Sequence, residues 1–192
     1  MSVKETVKTN KSILTITKLK SSQLFWIGTF SVLTFLGAQL AVPTQPVPFT
    51  LQTMIVILAG AFLGAKNGAY SQIVYLAAGA VGIPVFAGLS LGFSALFGPT
   101  GGYLLSFPFA AYLVGYIIEK KNSNLSVLFA FFIGQLFIIL VGAAYLAVFL
   151  NGDISKALFS GAVIFSVWDI IKTLAAFSIY KAVAKKYPKL PA

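Results

Sequence analysis

The chain has 192 residues, of which 58% are hydrophobic and 9% charged, and its net charge of +10 comes from fourteen lysines without an arginine. Soluble domains carry ~25% charged residues, so the composition excludes an ordinary globular protein, and the length provides for one domain. The absence of cysteine and histidine removes disulfides, thiolate metal sites, a cysteine nucleophile and the usual general base, and Glu5, Glu119, Asp153 and Asp169 are too few acids for a carboxylate metal cage.

Residues 1–21 form a lysine-rich lead with no sustained amphipathic period, either a frayed cytoplasmic segment or a surface helix held by lipid charge. Beyond it the chain is a series of apolar runs. A bilayer core ~30 Å thick needs ~20 apolar residues of helix, and the runs predict spans over Leu24–Val42, Thr50–Ala65, Gly68–Pro84, Gly101–Ile118, Leu125–Leu150 and Ala157–Tyr180. The second and third are short and separated only by Lys66-Asn67, which reads as a helical hairpin. The first run is too long for a signal-peptide core and reads as a retained helix. The expected architecture is an all-α integral membrane protein with six transmembrane helices over residues 22–184 and a tail over 185–192. No internal repeat with aligned glycines or prolines supports a transporter of two inverted halves.

Lysine placement sets the orientation. With the amino terminus inside, twelve lysines (4, 8, 11, 18, 20, 66, 120, 121, 181, 185, 186 and 189) fall on inner segments, whereas the outer loops hold Lys156. The positive-inside rule therefore predicts that both termini are cytoplasmic. Nucleic-acid binders favour arginine and cluster their charge on one face; lysines at segment ends point to a lipid bilayer instead, with no nucleic-acid partner.

Asp169 and Lys172 interrupt the last apolar run, where each charge near a helix centre costs ~2.5–3.5 kcal/mol on insertion scales. Their i,i+3 spacing puts them on one face, either as a neutralising ion pair that locks the helix or as walls of a polar cavity that meets a substrate. The run Gly98-Pro99-Thr100-Gly101-Gly102-Tyr103 opens the fourth span. Its glycines serve either close approach to a ligand, with the helix amides facing a carboxylate, or a tight packed turn. The segment Pro43-Thr44-Gln45-Pro46-Val47-Pro48 is stiff and extended, a candidate outer lid that feeds Gln52. Gln52, Thr53, Gln72 and Gln135 are polar residues within spans, and such residues more often bond a neighbouring helix than a ligand; Gln52, beside the lid, is the one placed in the site. The apolar outer loop Gly82–Gly92 is expected to fold back over the bundle. Gly37 and Ala41 make a small-xxx-small pair suited to close helix contact, internal or with a partner.

Enzyme readings fail on inventory: a serine protease lacks its histidine, an aspartyl protease its second carboxylate. There is no G-x-x-x-x-G-K-[ST] loop, so any ATP-driven step by that route belongs to another subunit.

Pro48-Phe49-Thr50-Leu51-Gln52-Thr53, Gly82-Ile83-Pro84-Val85-Phe86-Ala87-Gly88, Gly98-Pro99-Thr100-Gly101-Gly102-Tyr103-Leu104 and Asp169-Ile170-Ile171-Lys172 together resemble the BioY family, the biotin-binding S components of energy-coupling factor (ECF) transporters. The likeness runs in order over residues 24–180. It departs from the family pattern at Leu89-Ser90-Leu91-Gly92, where members often have a more glycine-dense stretch, and at Val167-Trp168, where they commonly show Pro-Gly. The resemblance implies a six-helix subunit of the cell (plasma) membrane that captures biotin from outside. It would work with a transmembrane coupling protein and two cytoplasmic ATPase subunits, with Gly37 and Ala41 as the docking face and biotin as cargo rather than cofactor. The implied substrate-binding residues are Gln52, Phe86, Gly98, Thr100, Gly101, Gly102, Tyr103, Trp168, Asp169 and Lys172. Asp169 would accept N–H groups and Lys172 donate to an oxygen. Thr100 or the fourth helix's amides would hold the carboxylate, and Phe86, Tyr103 and Trp168 would line the apolar ring. The competing class is an autonomous carrier driven by an ion gradient, with Asp169 as its proton site. A scaffold that carries no ligand is a third.

Overall fold

A computed structural model describes residues 21–186; the lysine-rich lead before Ser21 and the last part of the tail lie outside the described residues. The described residues are helical apart from one short ribbon and the connecting loops. Helix α1 (Ser21–Gln39) is followed by β1 (Ala41–Val42) and β2 (Phe49–Thr50), then α2 (Gln52–Ala80), a 3₁₀ turn at Ala87–Leu89 and the short α3 (Gly92–Phe97). Helices α4 (Gly101–Lys120) and α5 (Asn124–Phe149) come next, then α6 (Ile154–Gly161), a 3₁₀ turn at Val163–Phe165 and α7 (Ser166–Ala184). Four helical stretches, 52–80, 101–120, 124–149 and 154–184, are long and apolar enough to cross a membrane. Helix α1 is also 19 residues long, but Ser21, Ser22, Gln23, Thr29, Ser31, Thr34 and Gln39 dilute its apolar run.

Helix α2 does not run straight. Gly64, at φ 78° and ψ 178°, breaks it, a conformation that only glycine adopts without strain. The chain reverses there. Eight residues of continuous helix would separate Gly60 from Gly68 by ~12 Å, yet a Cβ on Gly68 would sit 2.8 Å from the Gly60 Cα. Likewise the Gln52 side chain reaches the Tyr75 hydroxyl at 2.6 Å. The expected hairpin is therefore present, with its apex at Gly64 rather than at Lys66-Asn67, which are helical. The carboxylate of Glu119, near the end of α4, accepts the Ala65 N–H at 3.0 Å and so caps the returning arm. The last predicted span is also interrupted: it is α6, a 3₁₀ turn and α7 rather than one helix.

Small residues bring the central helices together. A Cβ on Gly60 would strike the Ala111 carbonyl, and one on Gly115 the backbone at Gly64 and Ala65, so α2 and α4 pack backbone to backbone. Three apolar clusters fill the interior, the two larger ones toward opposite ends. One, with Phe62, Ile118, Val127, Phe131 and Tyr180, lies at the end where Lys66, Lys120, Lys121, Lys181, Lys185 and Lys186 emerge. The other, with Tyr75, Val85, Phe86, Leu104 and Phe107, lies toward the opposite end, below the ribbon and the loop over residues 82–92. That loop does fold back: Val85 and Phe86 are buried, and Gln39 holds it by donating to the Phe86 carbonyl at 3.0 Å and accepting from the Leu89 N–H at 3.2 Å.

Candidate functional site

At the end away from the lysine cluster the helices surround a half-open cavity of about 230 Å³, somewhat below the ~300–1,000 Å³ usual for small-molecule sites. Its apolar wall comes from Phe86, Tyr103, Leu104, Phe107, Ile138 and Phe165; its polar wall comes from Gln52, Thr53, Gln135, Asp169 and Lys172. Val47, Pro48 and Phe49 close one side, which puts the proline-rich segment on the cavity as expected of a lid.

The two charges in α7 meet each other and the cavity together. Lys172 Nζ lies 2.6 Å from Asp169 Oδ1, each side chain only 7% exposed. It also donates to the Thr53 hydroxyl at 2.8 Å and the Thr50 carbonyl at 3.2 Å, and sits 4.5 Å from the centre of the Phe49 ring. The ion pair and the cavity wall, alternatives on sequence, are one arrangement. An ammonium has three N–H donors, and these three acceptors engage them. Lys172 thereby ties α7 to the start of α2 and to the ribbon beside the lid.

Gln52 takes part in a second network. Its amide donates to Tyr75, its carbonyl accepts from Thr50 Oγ1 at 3.0 Å, and Tyr75 in turn donates to the Val85 carbonyl at 3.1 Å. Tyr103 spans the cavity to α6, donating to the Gly161 carbonyl at 2.7 Å. The Phe49 and Phe165 rings stack with centroids 6.1 Å apart, joining the ribbon to the turn before α7.

Of the residues expected in the site, Gln52, Phe86, Thr100, Tyr103, Asp169 and Lys172 line the cavity, and Gly98, Gly101, Gly102 and Trp168 do not. The glycines serve packing: a Cβ on Gly101 would strike the Leu96 carbonyl, one on Gly102 the Tyr145 side chain, and one on Gly98 the Ser94 carbonyl at 2.7 Å. The Gly101 N–H is already bonded to the Gly98 carbonyl at 2.9 Å. Trp168 is 56% exposed, its ring 5.6 Å from that of Phe49. Gly37 and Ala41 do not form one helical face, because α1 ends at Gln39 and Ala41 pairs with Thr50 in the ribbon. Gly37 is buried, and a Cβ there would meet Gln52 N, Leu51 C and Ile55 Cγ1 at 3.3 Å each, so it packs inside the bundle.

Sequence reasoning left Thr53 and Gln135 among helix-bonding residues. They do bond each other across helices, Gln135 Nε2 to Thr53 Oγ1 at 3.1 Å, and both also line the cavity. Their signal was a polar residue within an apolar run, the same signal that singled out Gln52.

A half-open cavity of small-molecule size in a bundle of apolar helices, with an ion pair in its wall, defines a helical membrane protein with a place for a ligand. The chain belongs to the BioY family, whose profile matches residues 8–189. It is 41% identical over 161 residues to a probable biotin transporter BioY of Pyrococcus horikoshii, covering 84% of this chain and 95% of that one. It is 40% identical over 158 residues to the biotin transporter BioY of Thermotoga maritima, covering 80% and 90%. Its fold matches the crystal structure of the S-component for biotin from an ECF-type ABC transporter with a TM-score of 0.79 at 26% identity, over 96% of this chain and 95% of that one. The relatives are transporters by name, a role without catalysis or a catalytic cofactor, and the chain is not an enzyme.

Proposed function

We propose that this chain is the membrane subunit that captures biotin from outside the cell for an ATP-driven importer of the ECF type. The observation that carries this reading is the pairing of an apolar cavity with a carboxylate held in place by Lys172. Biotin has an apolar thiophane ring, a ureido group with two N–H donors, and a carboxylate-ended tail. The Phe86, Tyr103 and Phe107 wall suits the ring, and Asp169 is an ionised acceptor for ureido N–H groups, a charge-assisted bond stronger than a neutral one. The name of the related S-component, for biotin, supports the same ligand.

In this reading the protein makes six passes of the plasma membrane, counting α1 and each arm of α2. Both termini are cytoplasmic and the cavity is on the outer side, because the lysines gather at the opposite end of the bundle. ATP hydrolysis falls to two cytoplasmic ATPase subunits acting through a transmembrane coupling protein. The rival carrier, with Asp169 exchanging protons, is disfavoured by the 2.6 Å contact to Lys172, an ion pair that a proton on the carboxylate would dissolve. The test is calorimetric titration of the detergent-purified chain with biotin, with riboflavin as control. Saturable binding of biotin alone supports the proposal, and equal or no binding of both refutes it. Uptake by the chain alone, abolished by an uncoupler and indifferent to ATPase mutation, would favour the rival.

A further inference from the structure

A ligand with a carboxylate tail brings a negative charge that the protein must either pair or leave in water. Among the described residues, Asp169 and Lys172 are the charged side chains of the cavity wall, and at 2.6 Å they neutralise each other. The ammonium is fully engaged, because its other N–H groups face the Thr53 hydroxyl and the Thr50 carbonyl. A second carboxylate brought to Lys172 would sit beside Asp169, and two carboxylates sharing one buried place repel. With its ureido head against Asp169, biotin must therefore run its tail away from the ion pair.

The wall away from α7 is made by the loop over residues 82–92 and the start of α4. Ser90 is exposed there, and Ala87 and Thr100 are half-buried, so this is the side on which the cavity opens. Its hydroxyl protons are already given to the backbone, Ser90 to the Ala87 carbonyl at 2.9 Å and Thr100 to the Ala95 carbonyl at 3.4 Å. The amides at the start of α4 are committed too: the Gly101, Tyr103 and Leu104 N–H groups donate to the Gly98 and Thr100 carbonyls at 2.9, 3.1 and 3.2 Å. The chain has no arginine or histidine to supply a cation. Lys156 is exposed on α6 and outside the cavity wall, and the other described lysines except Lys172 gather at the opposite end of the bundle.

We propose that the site recognises biotin by its bicyclic head and leaves the tail carboxylate in water at the open side, so that its ligands include biotin amides and esters, whose tails carry no charge. The inference rests on biotin being the ligand and names the class of molecules that the same site takes. Selection falls on the head, where a buried carboxylate left without its N–H donor rejects an analogue most strongly. The tail is selected weakly, because a hydrated charge at an exposed edge gains little from the protein. Lys172, with its donors engaged, is a positioning residue for Asp169 rather than a partner of the ligand's carboxylate.

The experiment is competition against radiolabelled biotin on the detergent-purified full-length chain. The competitors are biotin, biotinamide, biotin methyl ester and a biotin methylated on its ureido nitrogens. Biotinamide and the ester are expected to bind within about fivefold of biotin. The head-methylated analogue is expected to lose about tenfold to a hundredfold or more, the worth of a charge-assisted hydrogen bond. A loss beyond fivefold for both neutral tails shows that a protein group pairs the carboxylate and overturns the proposal. Head-methylated biotin binding as tightly as biotin overturns it from the other side. Lys156→Met, on the outer surface, should leave biotin and biotinamide unchanged; a variant that weakens biotin alone would assign the carboxylate to that lysine and overturn the proposal. The comparison of ligands on the wild-type chain needs no variant to fold. Failure of the wild-type chain to bind biotin at all refutes the proposed function and this inference with it, whereas biotin binding with both neutral tails rejected overturns this inference alone.

Discussion

Lys172→Met keeps most of the length of the side chain and removes its ammonium. The structure gives this change an effect well beyond one contact. The ammonium serves Asp169, Thr53 and the Thr50 carbonyl, and stands against the Phe49 ring. Its loss leaves the Asp169 carboxylate buried without a cation, and breaking a buried pair from one side costs about 3–5 kcal/mol. It also removes the polar tie between the ribbon and α7, leaving the Phe49 ring contacts with Phe165 and Trp168. Thermal unfolding in detergent should therefore fall markedly for Lys172→Met, and biotin titration should fall with it. Adding Asp169→Asn removes the stranded charge and should recover most of the lost stability. Biotin binding should not recover, because an amide replaces the charged acceptor; that bond is worth roughly 1.5–3 kcal/mol, about tenfold to a hundredfold in affinity. The two readouts separate what single substitutions confuse. A double variant that is stable and binds biotin like the wild type would show that the pair only locks the helix, and the site would have to lie elsewhere.

Glu119→Ala removes the cap on the returning arm of α2 and should lower thermal stability by about 1–2 kcal/mol, while biotin affinity, measured at the other end of the bundle, stays within a few-fold of wild type. Gly142→Ala should weaken biotin binding measurably in titration, because its Cβ would run into the Tyr103 ring and displace a side chain that lines the cavity and holds Gly161. Gly37→Leu should destabilise the isolated chain by about 1–3 kcal/mol through overpacking against the start of α2; a variant as stable as wild type that fails only to assemble with a coupling protein would restore the docking role to this position.

The architecture was largely legible because its signals are one-dimensional. Apolar runs and lysines at their ends are properties of the linear chain, and they located the helices to within a few residues. The hairpin was legible as a short pair of spans, but its apex was not. Lys66-Asn67 looks like a turn by polarity, whereas the reversal is set by a backbone conformation that Gly64 alone in that stretch accepts, and polarity does not report φ. Asp169 and Lys172 stood out because a charge in a span is costly enough to need a reason. The glycines of the Gly98–Tyr103 run left two readings open for a reason of the same kind as Gly64. A glycine signals close approach without naming what approaches, and here it is Tyr145 and the Leu96 carbonyl.

Gln135 marks where that legibility stops. A glutamine in a span bonds a neighbouring helix in most settings, and this one does, through one edge of its amide. Which edge remains unpaired depends on where Thr53 and Asp169 stand relative to α5, and no spacing rule carries that. The chain's own inventory explains why the ion pair has weight. Without histidine, cysteine or arginine, the polar wall is made from one carboxylate, one ammonium, amides and hydroxyls. The ammonium is committed to holding the carboxylate and the lid-side ribbon, so the contact best placed to recognise a ligand's N–H groups is the carboxylate it positions. Selectivity in such a site follows from the one carboxylate that faces the cavity, and the donors around it have done their part by fixing it.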